Sequence, residues 1–118
     1  MAKTMKRLLP CLREKKRYLV FKVLSNTKMP IIDVLREIKN EIVSYFGQKG
    51  LADAGVQILK ETYDIEKQSG IIRVGNKYVN QLKTALMLIT MINEKPVLIK
   101  SITVSGIIDK AKKQMINL

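Results

Sequence analysis

The segment Arg17 to Ser25, RYLVFKVLS, restricts the possible folds of this chain more than any other stretch. It is rich in β-branched and aromatic residues. Both alternating sets of side chains are apolar, and only Lys22 intrudes. A strand of this kind is buried on two faces, so it lies inside a sheet with cover above and below.

The chain continues with elements that can build that sheet. Asn26, Thr27 and Lys28 read as a turn, and Pro30 suits the first position of a helix. From Ile31 the apolar residues recur at helical spacing, through Val34, Leu35, Ile38, Ile42, Tyr45 and Phe46. Asp33, Arg36, Glu37, Lys39, Asn40 and Glu41 take the opposite face, which predicts an amphipathic helix ending near Gly47 or Gly50. Val56 to Asp64 reads as a second strand, Glu66 to Gly70 as a turn and Ile71 to Val74 as a short third strand, together a hairpin. Asn76 is a candidate N-cap for a second helix. Val79, Leu82, Ala85, Leu86 and Ile89 mark its core stripe. Met87, Leu88, Met91 and Ile92 widen the stripe until the second half is apolar nearly all round; such a helix is buried on more than one side or meets a partner, and these four are the candidate partner-facing residues. Asn93 to Pro96 reads as a turn and Val97 to Val104 as a fourth strand. Ser105 is a candidate cap for a last helix with Ile107, Ile108, Ala111 and Met115 on one side.

The order β-α-β-β-α-β plus a terminal helix is the ferredoxin-like arrangement, an α+β fold with an antiparallel sheet. Residues 1–118 show no internal repeat, linker or low-complexity segment and read as one domain. The expected sheet order is fourth, first, third, second. Two helices on one face leave the other uncovered, so the terminal helix, the N-terminal segment or a partner has to cover it.

Charge is the strongest functional signal. The 22 basic and 10 acidic residues give a net charge of +12, either a self-repelling balance that a polyanion relieves or the background basicity of a lysine-rich proteome. Residues 1–28 hold nine basic and one acidic residue, residues 29–66 four and seven, and residues 67–118 nine and two. In the expected sheet order the two basic ends meet and the acidic middle lies elsewhere. Histidine is absent and Cys11 is alone, which excludes Ser-His and Cys-His nucleophiles, a disulfide and a cysteine metal site within the chain. Asp64 and Glu66 fall in a turn and read as solvated. Met87, Met91 and Met115 read as core filler rather than as a cofactor site. The longest apolar run, Ala85 to Ile92, is too short for a membrane span of about 20 residues. The start MAKTMKRLLPCL has no long apolar stretch, and a soluble, cytoplasmic protein is expected.

Arg13, Lys15, Lys16 and Arg17 cluster before the first strand, where they can neutralise phosphates or form a solvated strand entry. Tyr18 beside them suits either the core or a base stack. Lys22, Arg73 and Lys100 each interrupt an apolar strand. In a suitable register they form a phosphate-binding row; otherwise their stems lie along apolar surface with the charges in water. Lys110, Lys112 and Lys113 form a further basic patch on the last helix, either a phosphate contact or a solvated helix end whose charge complements the macrodipole. The third strand has no aromatic residue, so base stacking of the RNA-recognition-domain type is not expected, and recognition should go through backbone charge and shape.

Four stretches resemble one known family, protein component 2 of archaeal ribonuclease P with its eukaryotic counterpart. They are Leu9-Pro10, Leu12-Arg13 and Lys15-Lys16-Arg17-Tyr18 leading into Leu19-Val20-Phe21; Gly70 to Val74; Tyr78-Val79, Leu82 and Ala85 to Ile89; and Ser101 to Ile108. Residues 27–64 match mainly in pattern. The resemblance implies a ferredoxin-like core with extra helices and an RNA-contact role for Arg13, Lys15, Lys16, Arg17 and Arg73. It further implies pairing with ribonuclease P protein component 3, assembly of two such pairs into a heterotetramer, and association with ribonuclease P RNA and other ribonuclease P proteins. Precursor transfer RNA is then met indirectly, and cleavage is performed by the RNA with Mg2+, with no cofactor held by this chain. Two other readings stand beside it. One is a ferredoxin-like regulatory or assembly domain for a small ligand or an acidic protein. The other is a metal-dependent nuclease, which needs clustered carboxylates.

Overall fold

A computed structural model of the protein describes residues 15–118. In chain order the elements are β1 (Lys16–Leu24), α1 (Ile31–Ala54), β2 (Gln57–Asp64) and β3 (Ser69–Gly75). A 3-10 turn (Asn76–Tyr78) leads into α2 (Val79–Met87), β4 (Met91–Ile92), β5 (Lys95–Pro96), β6 (Leu98–Ser105) and α3 (Ile108–Ile116). The main sheet is antiparallel in the order β2-β3-β1-β6, the order expected from the sequence.

β1 is central, and its two apolar faces are covered by different layers. Leu19, Phe21 and Val23 join Ile72, Val74 and Ile99 beneath α1 and α2, against Val34, Ile38, Ile42, Leu82 and Leu86. On the reverse face Val20, Leu59 and Ile71 pack against Ala111 of α3, with Tyr18, Ile102 and Met115 around them. The terminal helix therefore supplies cover that a doubly apolar strand requires.

Two irregularities set which residues face which layer. In β6 the register shifts so that Val20 faces Thr103 while Phe21 faces Ser101. Ile102 is the extra residue, and it joins the α3 cluster while Val104, two residues on, joins the other. In β2 the ladder breaks between Leu59 and Asp64. There the Thr62 hydroxyl donates to the Leu59 carbonyl at 2.6 Å and accepts from the Ile71 amide at 3.2 Å, satisfying groups the ladder leaves unpaired.

Several expectations are corrected. α1 does not end at Gly47 or Gly50; it breaks at Gly47 (φ 75°, ψ 171°), resumes and runs to Ala54, where Gly55 at φ 61° closes it in the left-handed conformation. Asn76 does not cap α2, which begins after Tyr78 with no side-chain cap. Asn76 is held by Arg17 instead. Ser105 does not cap α3 either: its hydroxyl accepts from the Ile107 amide and donates to the Ile107 carbonyl, both at 3.1 Å, and closes the turn before the helix. The long apolar second helix is shorter than its pattern. It stops at Met87, and the chain enters a β4–β5 hairpin through Asn93 and Glu94, both at positive φ. Asn93 Nδ2 donates to Asp33 Oδ2 at 2.5 Å, tying the hairpin to α1.

Candidate nucleic-acid interface

The alternation of β1 sends Lys16, Tyr18, Val20 and Lys22 to the face that α3 covers. Lys22 lies opposite Ser69 of β3 on one side and opposite Lys100 of β6 on the other. Arg73 lies opposite Tyr18. The three basic residues thus share a face but do not form one row. Arg73 is displaced from Lys22 by four residues along β1, about 13 Å at the strand rise. Antiparallel register is the reason, and it is what the sequence alone could not give.

The face has two basic ends with α3 between them. At one end are Lys15, exposed, and the half-buried Lys16 and Arg73, joined at the rim by the half-buried Arg17, which the alternation of β1 starts toward the opposite face. Arg17 Nε donates to Asn76 Oδ1 at 2.9 Å, which orients its guanidinium at the end of the sheet, and Nη1 lies against Gly106. Lys16 lays its ammonium over Gly55. Arg73 Nε is buried without a hydrogen-bond partner. Tyr18 packs against the α3 cluster, so the structure supports its core reading. Arg13 lies outside the described residues.

At the other end Lys22 borders an open groove of about 800 Å³, with Ser25, Asn26, Gln68 and Leu98 among its walls. Lys67 lines the same groove and donates to the Ile116 carbonyl. Sequence reading missed Lys67. It sits in the β2–β3 turn, and only the fold brings that turn beside Lys22. Between the two ends, Lys110, Lys112 and Lys113 are all exposed on α3.

Among the described residues the ion pairs are Lys28–Glu66 at 2.5 Å and Arg36–Asp33 at 2.9 Å. Neither takes in a candidate phosphate contact. Asp64 Oδ1 accepts from the backbone amides of Glu66 and Lys67 and so holds the β2–β3 turn. Acidic residues concentrate on α1, which carries Asp33, Glu37, Glu41 and Asp53 on the opposite side of the sheet. The molecule is thereby polarised, with cations gathered on and around α3. Because α3 covers the reverse face, the central strands offer no open aromatic platform for bases. The arrangement suits phosphates on a shaped backbone.

The four candidate partner residues separate. Ile92 is fully buried beneath the sheet, while Met87 (68% exposed), Leu88 (53%) and Met91 (52%) project together from the α2 end and the hairpin. Ile92 is therefore core and not partner-facing. The hairpin turns alternate side chains to opposite sides, a reversal that a helix through residue 92 would not make. No helix among the described residues is long and apolar enough to cross a membrane.

The fold resembles that of a chain in the cryo-EM structure of yeast ribonuclease MRP, with a TM-score of 0.60 at 10% identity over 89% of this chain and 88% of that one. Ribonuclease P protein component 2 of Methanocaldococcus jannaschii is 36% identical over all of this chain and 85% of its own length. The protein of the same name from Pyrococcus abyssi is 34% identical over 96% of this chain and 94% of its own. The family model described as Rpp14/Pop5 matches residues 17–116, and the chain belongs to that family.

Proposed function

We propose that the chain is an RNA-binding protein subunit of ribonuclease P that supports the catalytic RNA in endonucleolytic removal of 5′ leaders from precursor transfer RNA. One observation carries the reading: the family match runs through both basic ends of the sheet, from Arg17 to the α3 lysines. Relatives named ribonuclease P protein component 2 support it over nearly the whole chain. They do not support the alternative of a small-ligand or acidic-protein regulatory domain.

The chemistry assigned to this chain is electrostatic. Lys15, Lys16, Arg17, Lys22, Arg73, Lys100, Lys110, Lys112 and Lys113, with Arg13, neutralise phosphates and release their counterions, which lets packed RNA strands approach one another. Phosphodiester hydrolysis belongs to the RNA with Mg2+; no side chain of this protein enters the reaction. The protein works in the cytoplasm beside ribonuclease P protein component 3, in an assembly of two such pairs. Met87, Leu88 and Met91 form the apolar contact to a protein neighbour.

The test is cleavage of precursor transfer RNA by ribonuclease P RNA at modest Mg2+, first with component 3 alone and then with this chain added. Restored cleavage that requires the RNA supports the proposal. Unchanged cleavage under salt conditions that permit RNA binding would overturn it.

A further inference from the structure

The second feature of interest lies away from the basic face. α1 carries more apolar surface than the core uses. Val34, Ile38 and Ile42 are buried, but Ile31 and Leu35 are only half-covered, and Ile32 is 72% exposed. These residues border a groove between α1 and β2, closed on the strand side by Ile58 and Lys60. Further along, Ile42, Leu51 and Val56 continue it, sharing Lys39, Ile58 and Lys60 with the first part. The two parts hold about 410 and 180 Å³.

The groove runs along an open sheet edge. β2 pairs with β3 on one side only, and it is the last strand of the sheet. Among the described residues, no backbone hydrogen bond from another element reaches its outer edge. Unpaired strand edges are templates for an added strand. An added strand places alternate side chains on alternate faces, so every second residue would drop onto Ile32, Leu35 and Ile58. The charges lining the groove are Arg36, Lys39 and Lys60, and no acidic side chain lines it. Of these, Arg36 is engaged by Asp33. The remaining intervening side chains of an added strand would point toward the side bearing the lysines of α3.

We propose that the outer edge of β2 and the α1–β2 groove bind an extended segment of a protein partner in which apolar side chains alternate with carboxylates. The apolar set fills the groove against Ile32, Leu35, Ile58 and the stems of Lys39 and Lys60, the carboxylates point to the α3 side, and the backbone pairs with β2. The site stands beside the RNA-binding role and does not depend on it. An RNA strand fits the edge poorly, because the groove floor is isoleucine and leucine.

The test uses the full chain, labelled for NMR, and a peptide of alternating valine and glutamate long enough to span β2. A peptide of the same composition in block order serves as control. Expected are saturable shifts confined to Ile31, Ile32, Leu35, Lys39, Ile58 and Lys60, and slowed amide exchange on the outer edge of β2. The block peptide should bind at least about tenfold more weakly. Ile32→Glu and Lys60→Glu, both at exposed positions, should each weaken peptide binding about tenfold while leaving RNA affinity within about twofold. No binding at millimolar peptide overturns the proposal, as does equal binding of the block peptide. So do shifts confined to the α3 face, or protection of β2 that appears with protein concentration alone and identifies a second copy as the occupant. Displacement of the peptide by an RNA duplex from this groove would overturn it as well.

Discussion

Lys22 of β1 lies directly opposite Lys100 of β6, on the sheet face that α3 covers, with no carboxylate paired to either among the described residues. Like charges at directly opposed positions of an antiparallel pair are destabilising. Replacing Lys100 by Glu should therefore raise the stability of the free protein, by about 0.5 kcal/mol. The same change should weaken RNA binding and reduce the slope of log affinity against log salt by about one or more. Thermal melts and salt titrations of the two proteins read both effects. A loss of stability together with unchanged RNA affinity would remove this pair from the interface.

Gly55 ends α1 at φ 61° with the Lys16 ammonium over its α-carbon. An added methyl meets both a strained backbone and that side chain. Gly55→Ala should cost about 1–2 kcal/mol, seen as a lower denaturation midpoint at unchanged denaturant dependence. It should also displace Lys16 and weaken RNA binding, whereas Gly47→Ala has open space around its α-carbon and should affect stability alone.

Leu88 and Ile92 test the division of the apolar cluster. Leu88→Lys, at an exposed position, should leave the melting behaviour nearly unchanged and, on the proposed pairing, weaken assembly with component 3 in analytical ultracentrifugation. Ile92→Lys places a charge in a fully buried site and should cost several kcal/mol, enough to prevent folding of a marginally stable domain.

Tyr63 packs its ring 6.3 Å from Phe21, and its hydroxyl is buried with no hydrogen-bond partner. Burial, with the neighbouring Asp64 carboxylate adding to it, raises the pKa of this phenol above its ordinary value. The folded state therefore holds the Tyr63 proton more tightly than the unfolded chain. The associated stability is complete below the unfolded pKa, near pH 10, and is lost as pH rises through the higher folded pKa. Tyr63→Phe removes that dependence and the unpaired hydroxyl. It should be neutral or stabilising by about 1 kcal/mol at pH 7, with a larger advantage above pH 10. Stability curves of the two proteins between neutral and alkaline pH measure the difference, in which the lysine titrations common to both cancel.

Much of the fold was legible in the chain. RYLVFKVLS required two-sided burial, and β1 is covered on both faces. The order of the main elements follows from periodicity, because hydrophobic spacing is a local property, and the order of the four-stranded sheet is the one usual for the ferredoxin-like arrangement those elements spell out. Polar ends were less legible. Asn76 and Ser105 read as caps, yet each forms a different bond, to Arg17 Nε 59 residues away in one case and within its own turn in the other. The hairpin after Met87 was hidden because an apolar run gives the same signal in a helix, a strand or a turn of core chain.

The sequence by itself determined that this chain forms a two-faced antiparallel sheet with a cationic surplus and lacks histidine chemistry. Those properties depend on composition and on spacing between near neighbours. Only the tertiary structure decided that Lys22 meets Lys100 and not Arg73, that Lys67 joins them, and that Ile92 turns inward while Met91 stays out. These outcomes depend on register, and register is set by long-range pairing. A single extra residue, Ile102 in β6, reverses which side chains reach which face.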